Sequence, residues 1–461
     1  MAQPMGGVVR VRRNAAKMTP ADPDLAAYIR GMKAMRQRAD TVSWGQQVFI
    51  HSGDWGQHGG WRFLPWHRAQ LYWFERLIAH FSGKADFAMP YWDWQSDPVL
   101  PAWLTAADGA LWHRRRRRDL ATVDFVKARK DSDFTDWAKL QQDSFSTFVG
   151  EMGAAGSVES SGHGFVHVTV GGDMGDTSTA PKDPLFWFHH ANVDRVWATW
   201  QPLADKRGLV MEPGWLNESF DNFVDENGAK ARALTARDVL HTEALGYRYD
   251  APYPSPWFDE QPVRPPAGKT RREVLQRKDF KVALTDAPGA DGVLRIPLPA
   301  DIAAILASDR SGQSHELKGS GRVRLAGEKF CGTVVRIGVR RIGPSGAVVT
   351  PMATVLPFVG GHGAPAGHAG MAHGDAEAPA AHEHGFAFAV GPQLFDATGF
   401  SDVLEVEVEA TVGWAPVPPP PPSATPEPPA PAVAEPAPPP PPTPLIVALS
   451  LDLTLVEYRW V

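Results

Sequence analysis

The chain has 461 residues, 43% of them hydrophobic, and a formal net charge of −6. That length exceeds one ordinary domain, and so mild a charge excludes a nucleic-acid or anionic-membrane binder. A single cysteine, Cys331, excludes an internal disulfide framework, and no apolar run approaches the length of a membrane span.

The start, MAQPMGGVVRVRRNAAK, is basic but has no apolar run behind Arg12 and Arg13. We therefore expect no export signal and a cytoplasmic protein. Thr19, Pro20, Asp22 and Asp24 read as a helix start, and Leu25, Tyr28, Ile29 and Met32 continue at helical spacing. Residues 19–38 are expected to form a packing helix. Residues 44–50 read as a second helix ending at His51. The Gly-rich SGDWGQHGG then breaks regular structure, so His51 and His58 approach from different directions. A third helix begins near Pro65, with His67, Leu71, Phe74 and Ile78 on one buried stripe. A histidine on such a stripe is usually a satisfied core residue. Three histidines framed by aromatics within residues 51–67 argue for more than packing.

The apolar AMPYWDW at 88–94 reads as a shaped turn braced by Asp93. His113 precedes arginines at 114–118, a charge run expected on a solvated face. His163 and His167 stand at i and i+4, which places both on one face of a short helix ended by Gly171 and Gly172. Glu159, one turn earlier, reaches the same pocket. From Pro184 the segment LFWFHHANVDRVWATW reads as a helix with Phe186, His190, Asp194 and Trp197 on one face. Asp194 is placed to accept from a neighbouring imidazole or backbone group. His189 lies about 100° round the helix and is read as structural or as outer to a metal.

Past residue 255 tryptophan becomes scarce and Val and Ile alternate with charges. Residues 333–342, 403–411 and 448–460 read as strands of a small antiparallel sandwich or barrel. Two low-complexity stretches interrupt them. Residues 360–385 hold His362, His368, Met371, His373, His382 and His384 among Gly and Ala, a flexible loop or a copper-collecting one. Residues 416–444 are mostly Pro and Ala, a stiff spacer that separates the last strand from its sheet and permits strand exchange between subunits.

Two imidazole triplets emerge, His51, His58 and His67, then His163, His167 and His190. With no nearby thiol and with aromatic walls, they suit a pair of copper ions, and the lack of a Cys or carboxylate ligand disfavours hydrolytic zinc. The expected fold class is a mainly α N-terminal dicopper domain with a four-helix-bundle core over residues 1–262. A linker at 263–280 and a smaller all-β, sandwich-like domain at 281–461 follow it.

These motifs resemble the type-3 copper family of tyrosinases, catechol oxidases and molluscan-type haemocyanins. The resemblance is carried by H-x8-H at His58 and His67, with FLPWHR around the latter and His51 upstream. It is carried also by H-x3-H at His163 and His167 and by DPLFWFHHANVDR, with MPYWDW and VGGDM in support, and it spans residues 8–250. It implies that the first triplet holds one copper and the second triplet the other, with dioxygen as co-substrate and Phe186 over the second copper as a gate. The implied reaction oxidises o-diphenols, and also monophenols, to o-quinones, with Glu159 holding a water that helps deprotonate the phenol. Relatives often have Asn just after the first ligand of the second copper; Gly164 stands here, which leaves diphenol oxidation intact and counts against strong monophenol hydroxylation. The cysteine that some relatives crosslink to the second histidine is missing. The resemblance further implies a C-terminal β domain that covers the copper site and keeps the enzyme latent. An o-aminophenol oxidase and a haemocyanin-like oxygen carrier are the alternatives, the single copper domain favouring an enzyme. The expected partner is a small phenol, with no nucleic acid and no membrane, and the spacer allows a homo-oligomer.

Overall fold

The computed structural model describes residues 9–53, 56–116, 120–131, 145–206, 211, 213–253 and 299–300, and the later strands given below. Most of the His-bearing stretch 360–385, the spacer 416–444, the linker 263–280, Cys331, Arg117 and Arg118 lie outside the described residues, apart from the strand segments that enter these ranges.

The N-terminal part is helical. Helix α1 (Pro23–Arg36) starts where Asp22 accepts from the Asp24 amide, with Pro23 in the first turn. Ser43 caps α2 (Trp44–Ser52) by accepting from the Gln46 amide at 3.1 Å. Helix α3 (Phe63–Ser82) begins two residues before the expected Pro65 and closes on Gly83, whose φ of 73° is left-handed. Short helices α4 (Ala102–Thr105), α5 (Phe125–Asp131) and α6 (Phe145–Phe148) lead to a wide π-type turn, Val158–His163, which runs straight into α7 (Gly164–Val170). Helix α8 (Leu185–Lys206) completes the set. Helix α1 packs along α3, and α3 against α8. Between them lies an aromatic core in which the Phe74 and Trp187 rings stack, and Trp66, Trp92, Trp197, Trp200 and Trp215 are fully buried.

Two N-terminal features were not legible in the residue pattern. Strand β1 (Arg10–Arg12) pairs in parallel with β6 (Tyr247–Tyr249), and between them in sequence lie two-residue strands β2 (Gly150–Glu151), β3 (Ala154–Ala155), β4 (Ser219–Phe220) and β5 (Leu234–Thr235). The 88–94 turn is braced by Asp93 as expected: its carboxylate accepts from the Gln95 and Ser96 amides and pairs with Arg195 at 3.0 Å.

Eight strands follow, β7 (Arg272–Ala283), β8 (Val293–Pro297), β9 (Gln313–Leu325), β10 (Thr333–Gly343), β11 (Gly346–Val355), β12 (His382–Val390), β13 (Leu404–Val412) and β14 (Ile446–Trp460). They form one sheet of order β11-β10-β13-β8 and another of order β2-β3-β12-β9-β14-β7. The second sheet joins the two halves of the chain: β12 runs parallel to β3, with Phe386 in register with Ala155. Strand β14, beyond the Pro-rich spacer, sits between β9 and β7 of its own chain.

Candidate metal centre

Four helices and two irregular segments bring the six histidines together. His51 comes from the last turn of α2, His67 from the first turns of α3, His167 from α7 and His190 from α8. His58 sits in the loop after α2, and His163 ends the π-type turn, a feature frequent at functional sites. In the first triplet one ring nitrogen each of His51, His58 and His67 lies within 4.8 Å of the others. The second group within the same limit is His163, His167 and His190, with His189 as a fourth member. The groups adjoin: the His67 and His190 rings stack at 4.5 Å with 15° between planes.

The polarity of the rings is set by backbone acceptors. His51 Nδ1 donates to the Thr177 carbonyl at 2.8 Å, His67 Nδ1 to the Phe63 carbonyl at 2.8 Å, and His167 Nδ1 to the Met174 carbonyl at 2.7 Å. Each bond places the single proton of a neutral imidazole on Nδ1 and leaves Nε2 as a bare lone pair. Burial keeps the rings neutral. It pushes His51 down to about 4 against the opposing Thr177 bond, and His167 to about 3 against the Met174 bond. His67, His163 and His190 are also held well below the usual histidine value, first by burial and then by neighbouring imidazoles.

The consequence is decisive at His51 and His67, whose Nε2 atoms face each other at 3.3 Å. Two lone pairs so close repel unless a cation lies between them. Nitrogens bound to one metal at about 2.0–2.1 Å in tetrahedral arrangement stand about 3.3 Å apart, which is the spacing here. His167 and His190 Nε2 are 3.2 Å apart. The donor set is all imidazole, with no thiol or carboxylate in either group, a composition that fits copper.

Aromatic rings wall the site. Phe63, which the residue pattern did not single out, touches both groups, its ring 4.7 Å from His67 and 4.6 Å from His163. Phe186 has no exposed surface and lies 4.2 Å from the His190 ring and 4.9 Å from the His51 ring. Glu159 is buried and accepts from the Gly59 amide at 2.6 Å and the Gly60 amide at 3.2 Å, so it grips the loop that carries His58. Burial pushes its carboxyl up to about 8, the two amide bonds opposing. His189 is fully buried and stacks on His163 at 5.4 Å.

Two expectations need correction. Asp194 accepts from no imidazole among the described contacts. It binds Arg68, Arg12 at 3.1 Å, Tyr247 at 2.7 Å and Tyr249 at 2.5 Å, because its face of α8 meets guanidinium groups from α3 and β1. The arginine run is not wholly solvated: Arg116 is buried and forks onto Asp183 at 2.7 and 2.6 Å, while Arg115 is exposed. Asp183 in turn accepts from the Leu185 amide at 2.8 Å and starts α8. No periodicity signals a partner so distant along the chain.

Against known families, the model described as the common central domain of tyrosinase matches residues 41–117 and 105–203, and the polyphenol oxidase middle domain matches 210–263. Over residues 41–203 and 210–263 this chain matches the tyrosinase and polyphenol oxidase family. A tyrosinase of Hahella sp. (strain CCB-MM4) is 30% identical, over 53% of this chain and 64% of that protein. The latent form of a chloroplastic polyphenol oxidase of Prunus armeniaca is 30% identical, over 60% of this chain and 53% of that one. The chain thus spans between half and two thirds of the length of these two relatives. Among solved structures, latent apple tyrosinase superposes with a TM-score of 0.60 at 18% identity, covering 99% of this chain and 98% of that one. A latent aurone synthase gives 0.61 at 22%, covering 88% and 87%. At those identities the likeness speaks for the fold. The plant polyphenol oxidases of Prunus armeniaca, Solanum lycopersicum and Malus domestica are named chloroplastic. Relatives so named contradict the cytoplasmic expectation, which rested on the lack of an apolar run behind Arg12 and Arg13. No helix among the described residues is long and apolar enough to cross a membrane.

Proposed function

We propose that this tyrosinase-family chain is a two-copper oxidase that uses dioxygen to convert o-diphenols to o-quinones. His51, His58 and His67 would hold one ion, and His163, His167 and His190 the other. The reading is supported above all by the two neutral, carbonyl-anchored imidazoles whose Nε2 lone pairs meet at 3.3 Å. Copper in that cavity supplies the electrons that dioxygen needs and the acid that polarises a phenol oxygen. The residues do the rest. Carbonyls orient the imidazoles, and Phe63 and Phe186 keep water from the ions. Phe186, packed among three ligand rings, is assigned here to that wall rather than to a gate. Glu159, a buried carboxyl with a value near neutrality, is assigned to the phenol proton, through water.

Latency belongs to the same proposal. Strand β12 extends the β2–β3 hairpin, and β11 packs against the Val158–His163 turn that carries Glu159 and His163. We take residues 1–262 as the catalytic domain and 272–461 as an all-β cover, β7 already beginning at Arg272 inside the linker expected at 263–280, with dimerisation by exchange of β14 as an accessible state. The test is a copper count on the purified chain with turnover of L-DOPA and L-tyrosine, before and after proteolysis past residue 270. Two ions per chain and L-DOPA turnover that rises on cleavage are expected. Reversible oxygen binding without catechol turnover, before or after cleavage, would make the chain an oxygen carrier instead. Unchanged turnover on cleavage would remove the latency.

A further inference from the structure

Between α7 and α8 the chain makes a tight run, residues 171–183, that reaches both imidazole groups with its backbone. The Met174 carbonyl accepts from His167, and the Thr177 carbonyl from His51. One covalent segment so serves a ligand of each triplet. Its internal bonds are short-range: Thr179 Oγ1 donates to the Asp173 carbonyl at 3.0 Å, and Asp176 accepts from the Ser178 amide at 2.7 Å. Its far end is tied to the rest of the molecule by Arg116 on Asp183 and by Arg36 on the Lys182 carbonyl, and its near end by the segment around the arginine run. His113 Nε2–H donates to Asp173 Oδ2 at 2.7 Å, and Arg115 Nη1 lies 3.3 Å from Oδ1. The Asp173 side chain is 2% exposed, so a buried carboxylate is held by an imidazole N–H and a guanidinium that reach it from the surface. The contact continues along the backbone. Gly172 has a φ of +60°, and a Cβ built there would sit 1.4 Å from the Arg115 carbonyl oxygen.

We propose that Asp173, clamped by His113 and Arg115, is a positioning residue for both metal sites. It holds in place the two carbonyls that point His51 and His167 Nε2 at their ions. This rests on the ligand assignment of the preceding section. Without the clamp the run can shift, the two carbonyls leave their imidazoles, and both rings lose the tautomer and orientation that binding requires. The inference is sharp because an outer residue near a single metal would affect one ion, whereas this one reaches both.

The test follows copper release from the holoprotein to a strong Cu(I) chelator under anaerobic, reducing conditions, alongside thermal melting. Asp173→Asn keeps the shape of the side chain and removes the charge. Met35→Ala, a buried truncation in α1, controls for a general loss of stability. Asp173→Asn is expected to release both ions about 10–100-fold faster than wild type, the usual effect of losing an outer-sphere partner, and Met35→Ala to release them at the wild-type rate. Release at the wild-type rate, release of one ion only, or release no faster than from Met35→Ala would overturn the proposal. If Asp173→Asn does not fold, the double change His113→Gln with Arg115→Gln, on side chains 16% and 61% exposed, carries the same expectation and the same refutation. A wild-type chain that takes up no copper would overturn the ligand assignment itself, and the inference with it.

Discussion

Asp194→Asn tests how the two halves of the site are held together. Asp194 lies one turn beyond His190 on α8, and Arg68 directly follows His67 on α3. Their ion pair, both side chains almost fully buried, ties the helices that carry His67 and His190 to each other. Arg12 enters from β1 at 3.1 Å and also pairs with Glu75, while Tyr247 and Tyr249 donate their hydroxyls to the same carboxylate. Asn preserves volume but removes the charge and turns an amide N–H₂ toward a guanidinium. Breaking a buried pair by removing one partner costs about 3–5 kcal/mol, since the stranded cations keep their desolvation cost. At about 2–4 °C per kcal/mol for a domain of this size, the melting midpoint should fall by about 6–20 °C. The pH dependence has a definite sign. Burial alone would raise the Asp194 pKa, but Arg68 and Arg12 outweigh it and hold the carboxyl below its ordinary value. Its contribution is therefore fully present above the ordinary carboxylate value and is lost only as pH falls from there through the depressed one, so the gap between wild type and variant should begin to close below about pH 4. Calorimetric or circular-dichroism melts at pH 7 and at successive points below about pH 4 decide the matter, the gap narrowing as pH falls. A variant melting within about 2 °C of wild type at pH 7, less than about 1 kcal/mol on that scale, would show that the network adds nothing to the joint.

Three further outcomes are expected. His67→Ala and His190→Ala should each abolish diphenol oxidation and lower copper to about one ion per chain by metal analysis; full activity in either would end the ligand assignment. Gly172→Ala should destabilise the chain by more than about 2 kcal/mol in urea unfolding, since its Cβ meets the Arg115 carbonyl in a left-handed backbone conformation. Gly164→Asn, at the start of α7, should raise turnover of L-tyrosine relative to L-DOPA, and an unchanged ratio would discount the role given to that position.

The residue pattern carried the parts of the site that depend on local spacing. A period of 3.6 marks which face of a helix is buried, so α1, α3 and α8 were legible to within a few residues, and with them His67 and His190. The period of two marked β10, β13 and β14 equally well. What periodicity cannot report is the identity of the partner across the fold. Asp194 shares the His190 face, as expected, yet its partners come from Arg12 and Tyr247, far away in sequence. Arg116 stands in a run whose composition says solvent, and only the approach of Asp183 makes it a buried anchor.

The same limit explains why the two histidine groups were legible and the orientation of their rings was not. A metal ligand must be a particular side chain, so it leaves a mark in the sequence. The acceptor that fixes its tautomer need only be a carbonyl, and every residue has one. Phe63, Met174 and Thr177 serve the centre through that common atom, and substitution of their side chains leaves the acceptor in place. Selection on the acceptor therefore falls on whatever fixes the backbone: the glycine at 172, the carboxylate at 173 and the two side chains that hold it. On this reasoning a metal site of six imidazoles is specified partly by residues that touch neither metal nor ligand, and the double change at His113 and Arg115 should disturb it more than replacement of the Met174 side chain whose carbonyl it uses.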